Sequence, residues 1–266
     1  MLVNGKQIAN RIKDEIREIL KTSGKKSLVI FYVGENPVID SYVALKKRFG
    51  EEVGVSVDIK KFPETISEDE LAREITGVLP EYSGAIVQLP LPVHISKERI
   101  LDLVPIEKDV DVLSSASFEA FSKGETAKLP PVVASISEIV SEYHIDLQNK
   151  KVVVVGNGAL VGKPVSAWLK RQNILHTILD SMSENSETLL QDADVIISGV
   201  GVPGLIKQSM IKEGSVLFDA GASTSSGRLA GDIDPACYGK AALVSPVPGG
   251  IGPITVASLF KNIFLK

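Results

Sequence analysis

Hydrophobic residues recur at every fourth position at the start of the chain, at Ile8, Ile12, Ile16 and Leu20, with charged residues between them. That period gathers them on one stripe, so the segment reads as an amphipathic surface helix. The pattern then changes. "SLVIFYVG" is an apolar run of strand length, and "DSYVALKKRFGEEVG" has the period of a helix, with Asp40 or Ser41 as its candidate N-cap. "VSVDIKKF" reads as a second strand. "SEDELAREITGVLP" reads as a helix opened by the capping-box pattern Ser67…Glu70, and "GAIVQLPLP" as a third strand stopped by its prolines. Strand–helix alternation of this kind implies parallel βαβ units.

A less regular stretch from about 108 to 131 precedes a helix expected over 132–144. The alternation then resumes with "KVVVVG", "HTILD", "DVIISGVG" and "SVLFDAG", short Val/Ile-rich strands of the kind buried on both faces. "GPITVASLFKNIFLK" returns to a helix. Two α/β domains, joined near residues 110 to 135, are the economical reading.

The strand "KVVVVG" runs into Gly156, Gly158 and Gly162, the spacing G-x-G-x-x-x-G, one residue longer than the usual dinucleotide fingerprint. Glycines between a buried strand and a helix starting near Val161 let backbone approach a pyrophosphate, and the helix N-terminus offers unpaired N–H groups. The alternative is a glycine-rich βα turn that binds nothing. Asp180 ends the next strand, where an acid can bond a ribose 2′-OH and favour NAD over NADP; a solvated loop acid is the alternative.

Composition narrows the function classes. A net charge of −4 and a pI near 5.5 argue against a protein built to grip nucleic acid. The single cysteine, Cys237, allows no internal disulfide and fits a reducing compartment. The first residues lack a signal-peptide core, and no apolar run approaches the roughly 20 residues of a membrane span. A soluble cytoplasmic protein without a membrane partner is expected. His94, His144 and His176 are scattered without ligand-spaced partners, so no metal site is expected.

Other candidates sit in the first half. Tyr42 and Lys46 lie at i and i+4 on one helix, beside the stripe of Leu45, Phe49 and Val53. A lysine near buried surface has its pKa lowered by desolvation and suits proton transfer; a snorkelling surface lysine is the alternative. Gln88 lies at the C-terminal end of a strand, where open α/β sheets bind ligands. Asp109 and Asp111 follow in "EKDVDVL", where a carboxylate can accept two hydrogen bonds from a guanidine-like ring edge such as a pterin's. "SPVPGGIGPIT" is rich in proline and glycine, hence rigid and open to close approach by a flat ligand.

Taken together, and in this order, "GENPVIDSYVALKKRFGEEVGV", "GAIVQLPLP", "PIEKDVD", "VVVVGNGALVGKP", "ADVIISGVGVPGLIKQSMIKEGSVLFDAG" and "SPVPGGIGPITVASL" resemble the methylenetetrahydrofolate dehydrogenase/cyclohydrolase family along nearly the whole chain. The resemblance implies two domains with a folate cleft between them. An N-terminal folate-side domain over 1–125, with the helix over 254–266 packing back on it, would face a Rossmann-like domain over 126–253. It implies oxidation of 5,10-methylenetetrahydrofolate with NADP (or NAD), then hydrolysis to 10-formyltetrahydrofolate, in one-carbon metabolism and purine biosynthesis. A homodimer is implied as well. Carried across by position, Lys46 is the essential cyclohydrolase residue, Tyr42 lines the cleft and Gln88 tunes Lys46 while helping hold the folate. Asp111 corresponds to the pterin-binding acid, and Pro248, Gly249 and Gly250 to the loop flanking the folate. Gly156, Asn157, Gly158, Val161, Gly162, Asp180, Ser183 and Gly201 fall on the dinucleotide side.

The chain departs from the family at several places. Ile39 stands for a small residue, Val112 for the glycine after Lys-Asp-Val-Asp, and "PPVVAS" for Pro-Cys-Thr-Pro. Asn157 replaces an arginine that often meets the 2′-phosphate, and Ser181-Met182-Ser183 replaces Cys-His-Ser. These changes leave NAD a close alternative to NADP. They also keep open a dehydrogenase-only member and a non-catalytic folate- or nucleotide-binding protein.

Overall fold

In a computed structural model of the chain, which describes residues 1–225 and 228–265, the apolar run after the first helix is the centre strand of a sheet. Lys266, the last residue of the expected C-terminal helix, lies outside the described residues. Two units can be distinguished. An N-terminal unit comprises Arg11–Pro130 with Val256–Lys266, and a C-terminal unit comprises Met1–Asn10 with Pro131–Thr255.

The N-terminal stretch runs α1 (Gly5–Ser23), β1 (Ser27–Val33), α2 (Pro37–Val53), β2 (Ser56–Phe62), α3 (Glu68–Val78), β3 (Gly84–Val87), α4 (Lys97–Leu101) and α5 (Ser115–Lys123). The strands pair in the order β2-β1-β3, all parallel, with Leu28 opposite both Val57 and Gly84. Central β1 is buried along nearly its whole length, whereas edge strand β2 buries only Val57 and leaves residues 58–61, its two lysines included, exposed. Phe31, Leu71, Ile75 and Ile100 are fully buried and tie α3 and α4 to the sheet. Ser67 caps α3 through the Glu70 N–H, as its pattern predicts. The start of α2 differs from expectation. Asn36, whose Oδ1 accepts from the Ile39 N–H, precedes Pro37, and proline at the first helical position starts the helix earlier than Asp40. The irregular stretch also hides α5, entered through Ser114 and ended by Gly124 at φ +78°.

The C-terminal stretch runs α6 (Pro131–Glu142), β4 (Val152–Val155), α7 (Gly162–Arg171), β5 (His176–Leu179), α8 (Ser186–Asp192), β6 (Val195–Ser198), β7 (Val216–Asp219), β8 (Ser223–Ser225), β9 (Arg228–Ala230), β10 (Leu243–Ser245) and α9 (Ile251–Asn262). Five strands form a parallel sheet in the order β10-β7-β6-β4-β5, and β8 and β9 form a separate antiparallel pair. The four Val/Ile-rich runs are β4 to β7, and β4 and β6 are buried at every position. The order reverses beside β4, which puts the β4–α7 loop at the place where open parallel sheets bind ligands. Among the described residues, no helix is long and apolar enough to cross a membrane.

Candidate active site

In the N-terminal unit, α2 carries Lys46 inward. Its neighbours along the helix, Val43, Phe49 and Val53, are buried, so the helical period takes the lysine down with them to 8% exposure. The Lys46 Nζ donates to Gln88 Oε1 at 2.8 Å. Gln88 follows the last residue of β3 and its Nε2 donates to the Leu89 carbonyl at 3.0 Å, which fixes the amide with its oxygen toward the lysine. Burial lowers the pKa of Lys46, and the Asp111 carboxylate opposes that shift. Burial also pushes Asp111 up to about 6, against the pull of Lys46 and with the repulsion of Asp109. Tyr42, one turn ahead of Lys46, is half-buried and its phenol is pushed up by that burial. Lys46, Gln88 and Asp111 are thus brought together, although 42 residues separate the first two.

The turn that presents Asp111 is held by groups with no obvious signature in the sequence. The buried Asp109 carboxylate accepts from four backbone N–H groups, of Asp111, Val112, Leu113 and Ser114, at 2.8–3.2 Å. It therefore organises the turn and is not free to meet a ligand. Val112 sits at φ +57°, in the left-handed region that favours glycine, which explains the family's glycine there and marks this valine as strained. Asn262 of α9 donates through Nδ2 to the carbonyls of Val110 and Leu129, both at 2.8 Å. The buried Lys128 ties down two further carbonyls of the same loop, at Ile106 and Glu107.

In the C-terminal unit, the β4–α7 turn is shaped by contact. Gly156 adopts φ +93° and its N–H donates to the Leu179 carbonyl at 2.7 Å. A Cβ on Gly162 would lie 2.0 Å from the Gly156 carbonyl oxygen, so the last glycine of the motif is required for the helix to start here. A Cβ on Gly158 would meet nothing within 4 Å. Gly199, at the end of β6, leaves the space that Val161 fills. Val161 occupies the cap position of α7 with no side-chain hydrogen bond to the helix. The Lys163 N–H donates to the Gly158 carbonyl at 3.0 Å and Pro164 carries no N–H, so within the first turn the Gly162 N–H is the group left to face an anion. An open glycine at an uncapped helix start fits a pyrophosphate, and Gly156, Asn157, Gly158, Val161 and Gly162 are the residues able to hold one.

Asp180 and Ser183 form a closed turn just after β5. The Asp180 N–H donates to Ser183 Oγ at 2.9 Å, and the Met182 N–H and Ser183 Oγ donate to Asp180 Oδ1 at 3.0 and 3.1 Å. Asp180 is exposed and keeps its second oxygen for a ligand hydroxyl. Gly201, at φ +80°, lies in a loop whose amides are already used. The N–H groups of Val200, Gly201 and Val202 and the Ser198 hydroxyl all donate to buried Asp232, at 2.7–2.9 Å. That loop can offer a ligand its carbonyls and its surface but not those amides. Asp219 beside it accepts from Gly221, Asp232 and Ile233, and burial pushes its carboxyl up to about 6. Pro248, Gly249 and Gly250 belong to this unit as well. Gly249 adopts φ +105° and its carbonyl accepts from the Gly5 N–H at 3.0 Å, while a Cβ on Gly5 would lie 1.8 Å from the Gly250 oxygen. Among the described residues no three His, Cys, Asp or Glu side chains gather as metal ligands.

Two family models match the chain in succession. "Tetrahydrofolate dehydrogenase/cyclohydrolase, catalytic domain" covers residues 3–111, and its NAD(P)-binding domain covers residues 130–266. "Bifunctional protein FolD" of Staphylococcus aureus (strain Newman) is 35% identical over 99% of this chain and 95% of its own length. "Bifunctional protein FolD 2" of Lactobacillus johnsonii is 37% identical over 98% and 95%. Among solved structures, the bifunctional FolD dehydrogenase/cyclohydrolase of Campylobacter jejuni matches with a TM-score of 0.93 at 32% identity, covering 99% of this chain and 96% of that one. The Trypanosoma brucei FolD, complexed with NADP cofactor and an inhibitor, matches with the same score at 28% identity, covering 99% and 96%.

Proposed function

The chain belongs to the tetrahydrofolate dehydrogenase/cyclohydrolase family, and from that premise we propose that it oxidises 5,10-methylenetetrahydrofolate with NADP and hydrolyses the methenyl product to 10-formyltetrahydrofolate. The observation that carries this reading is the buried Lys46 hydrogen-bonded to Gln88 with Asp111 beside it. The nicotinamide cofactor, when bound, accepts the hydride of the folate methylene. The chain's own residues have the remaining tasks, of holding both molecules and moving protons. Burial favours the neutral Lys46 amine, which keeps its N–H to Gln88 Oε1 and a lone pair to take a proton from water as it attacks the methenyl carbon. The same proton can then be returned to N5 as its bond to that carbon breaks, while the hydroxyl formed from water loses its proton to solvent and becomes the formyl C=O, so that one proton is released overall. Gln88 keeps the amine in register, Tyr42 borders it, and Asp111 accepts from the pterin ring edge. Pro248, Gly249 and Gly250 flank the folate.

On the dinucleotide side, Gly156, Asn157, Gly158, Val161 and Gly162 hold the pyrophosphate, Asp180 and Ser183 the adenosine ribose, and Gly201 the loop next to it. A carboxylate at Asp180 and the absence of an arginine at 157 make NAD the alternative cofactor. We also assign the chain to the cytoplasm, as a homodimer, with the folate-side domain over 1–125 and the dinucleotide domain over 126–253. The experiment is turnover of methylenetetrahydrofolate with NADP and with NAD in parallel, following methenyl and 10-formyl products separately. Formation of both products supports the reading; methenyl accumulating with no acceleration of its hydrolysis selects a dehydrogenase alone. Folate binding without turnover with either cofactor selects a binding protein.

A further inference from the structure

Lys128 is 1% exposed in the N-terminal unit, and no step of the proposed reaction uses it. Its Nζ donates to the carbonyl oxygens of Ile106 and Glu107, both at 2.7 Å. These residues stand just ahead of the turn that carries Asp109 and Asp111. One residue beyond Lys128, the Leu129 carbonyl shares the Asn262 amide with the carbonyl of Val110, between the two aspartates. Two side chains therefore stitch segment 128–129 to loop 106–110. A buried ammonium is a costly way to tie a loop, because it must be desolvated, and the charges of Asp109 and Glu107 offset part of that cost. The tie is also rigid: with an apolar side chain at 128, two carbonyls would lose their donor and the loop would have to move to satisfy them.

From this geometry we propose that Lys128 is a positioning residue for the folate, fixing loop 106–110 so that Asp111 stands beside Lys46. The inference rests on the assignment of Lys46 and Asp111 to folate chemistry. Lys128 itself touches no reacting atom. A lysine that served only the fold would, on removal, lower the melting temperature and leave the affinities of the folded protein alone. A positioning lysine would weaken one ligand and spare the other.

The test uses the full chain with Lys128→Met and Lys128→Gln, and calorimetric titration with tetrahydrofolate and with NADP separately. Lys128→Met is expected to weaken tetrahydrofolate about tenfold or more while NADP changes by less than about twofold. Lys128→Gln, whose amide still donates, should recover part of the loss. Unchanged folate affinity in folded Lys128→Met, equal losses for both ligands, or no recovery with glutamine would overturn the proposal. Failure of both variants to fold would assign Lys128 to stability alone and overturn it too. Wild-type chain that binds tetrahydrofolate but turns over no methylenetetrahydrofolate would instead refute the reaction, and the comparison of affinities would still decide the role of Lys128.

Discussion

Replacing Asp111 by asparagine should make the protein more stable at neutral pH while impairing it as an enzyme. Burial raises this carboxyl from 3.8 to about 6. At about 1.36 kcal/mol for each pH unit, the ionised group costs the folded state on the order of 3 kcal/mol. The sign follows from the direction of the shift. A raised folded-state pKa means the folded protein holds this proton more tightly, so the contribution is fully present below pH 4. It is lost as the pH rises through about 6, and the whole penalty is in force at pH 8. Asparagine is close in shape and cannot ionise, so it removes the penalty and its pH dependence together. Urea unfolding at pH 4, 6 and 8 measures this directly. The variant's advantage should grow from near zero at pH 4 to roughly 3 kcal/mol at pH 8, with tetrahydrofolate binding weakened throughout. An advantage that is the same at every pH, or a variant less stable at pH 8, would refute the burial argument.

Three further outcomes follow from named contacts. Gly162→Ala places a methyl 2.0 Å from the Gly156 carbonyl, so calorimetry should show dinucleotide binding lost by tenfold or more (about 1.4 kcal/mol) with tetrahydrofolate affinity unchanged. Asp180→Ser removes a charge beside the ribose, and the ratio of kcat/KM with NADP to that with NAD should rise about fivefold or more. Asp109→Asn offers one acceptor oxygen where two now receive four N–H groups, and should lower stability to urea by about 2–4 kcal/mol at pH 7.

Much of the fold was legible because periodicity is set by burial. The four-residue repeat of Ile8, Ile12 and Ile16 and the valines of β4 are buried where the pattern places them. The α2 start was misplaced because Asp40 and Ser41 are good caps in isolation, whereas Pro37 with Asn36 ahead of it starts the helix earlier. Three-residue β10 was missed because "LVS" is too short to show a period, and its pairing with β7 depends on the assembled sheet. In the site, Tyr42 and Lys46 were readable as one helix face, and Gln88 as a strand end. The meeting of Lys46 with Gln88 is not written in the spacing, because the contact joins α2 to β3 across a large sequence separation; only the family resemblance implied it. Lys128, Asn262 and Asp232 escaped for a different reason. Their partners are main-chain carbonyls and amides, which any residue supplies, so no spacing of side chains announces them.

The central claim is that one buried amine runs the hydrolytic half of the reaction and leaves hydride transfer to geometry. Lys46→Met tests it in a single assay, with cofactor reduction and decay of the methenyl product followed together. Reduction should persist within about tenfold of wild type, while methenyl hydrolysis falls by 10² or more, towards the uncatalysed rate, as expected for loss of a general base. Hydrolysis by Lys46→Met at the wild-type rate would contradict the account.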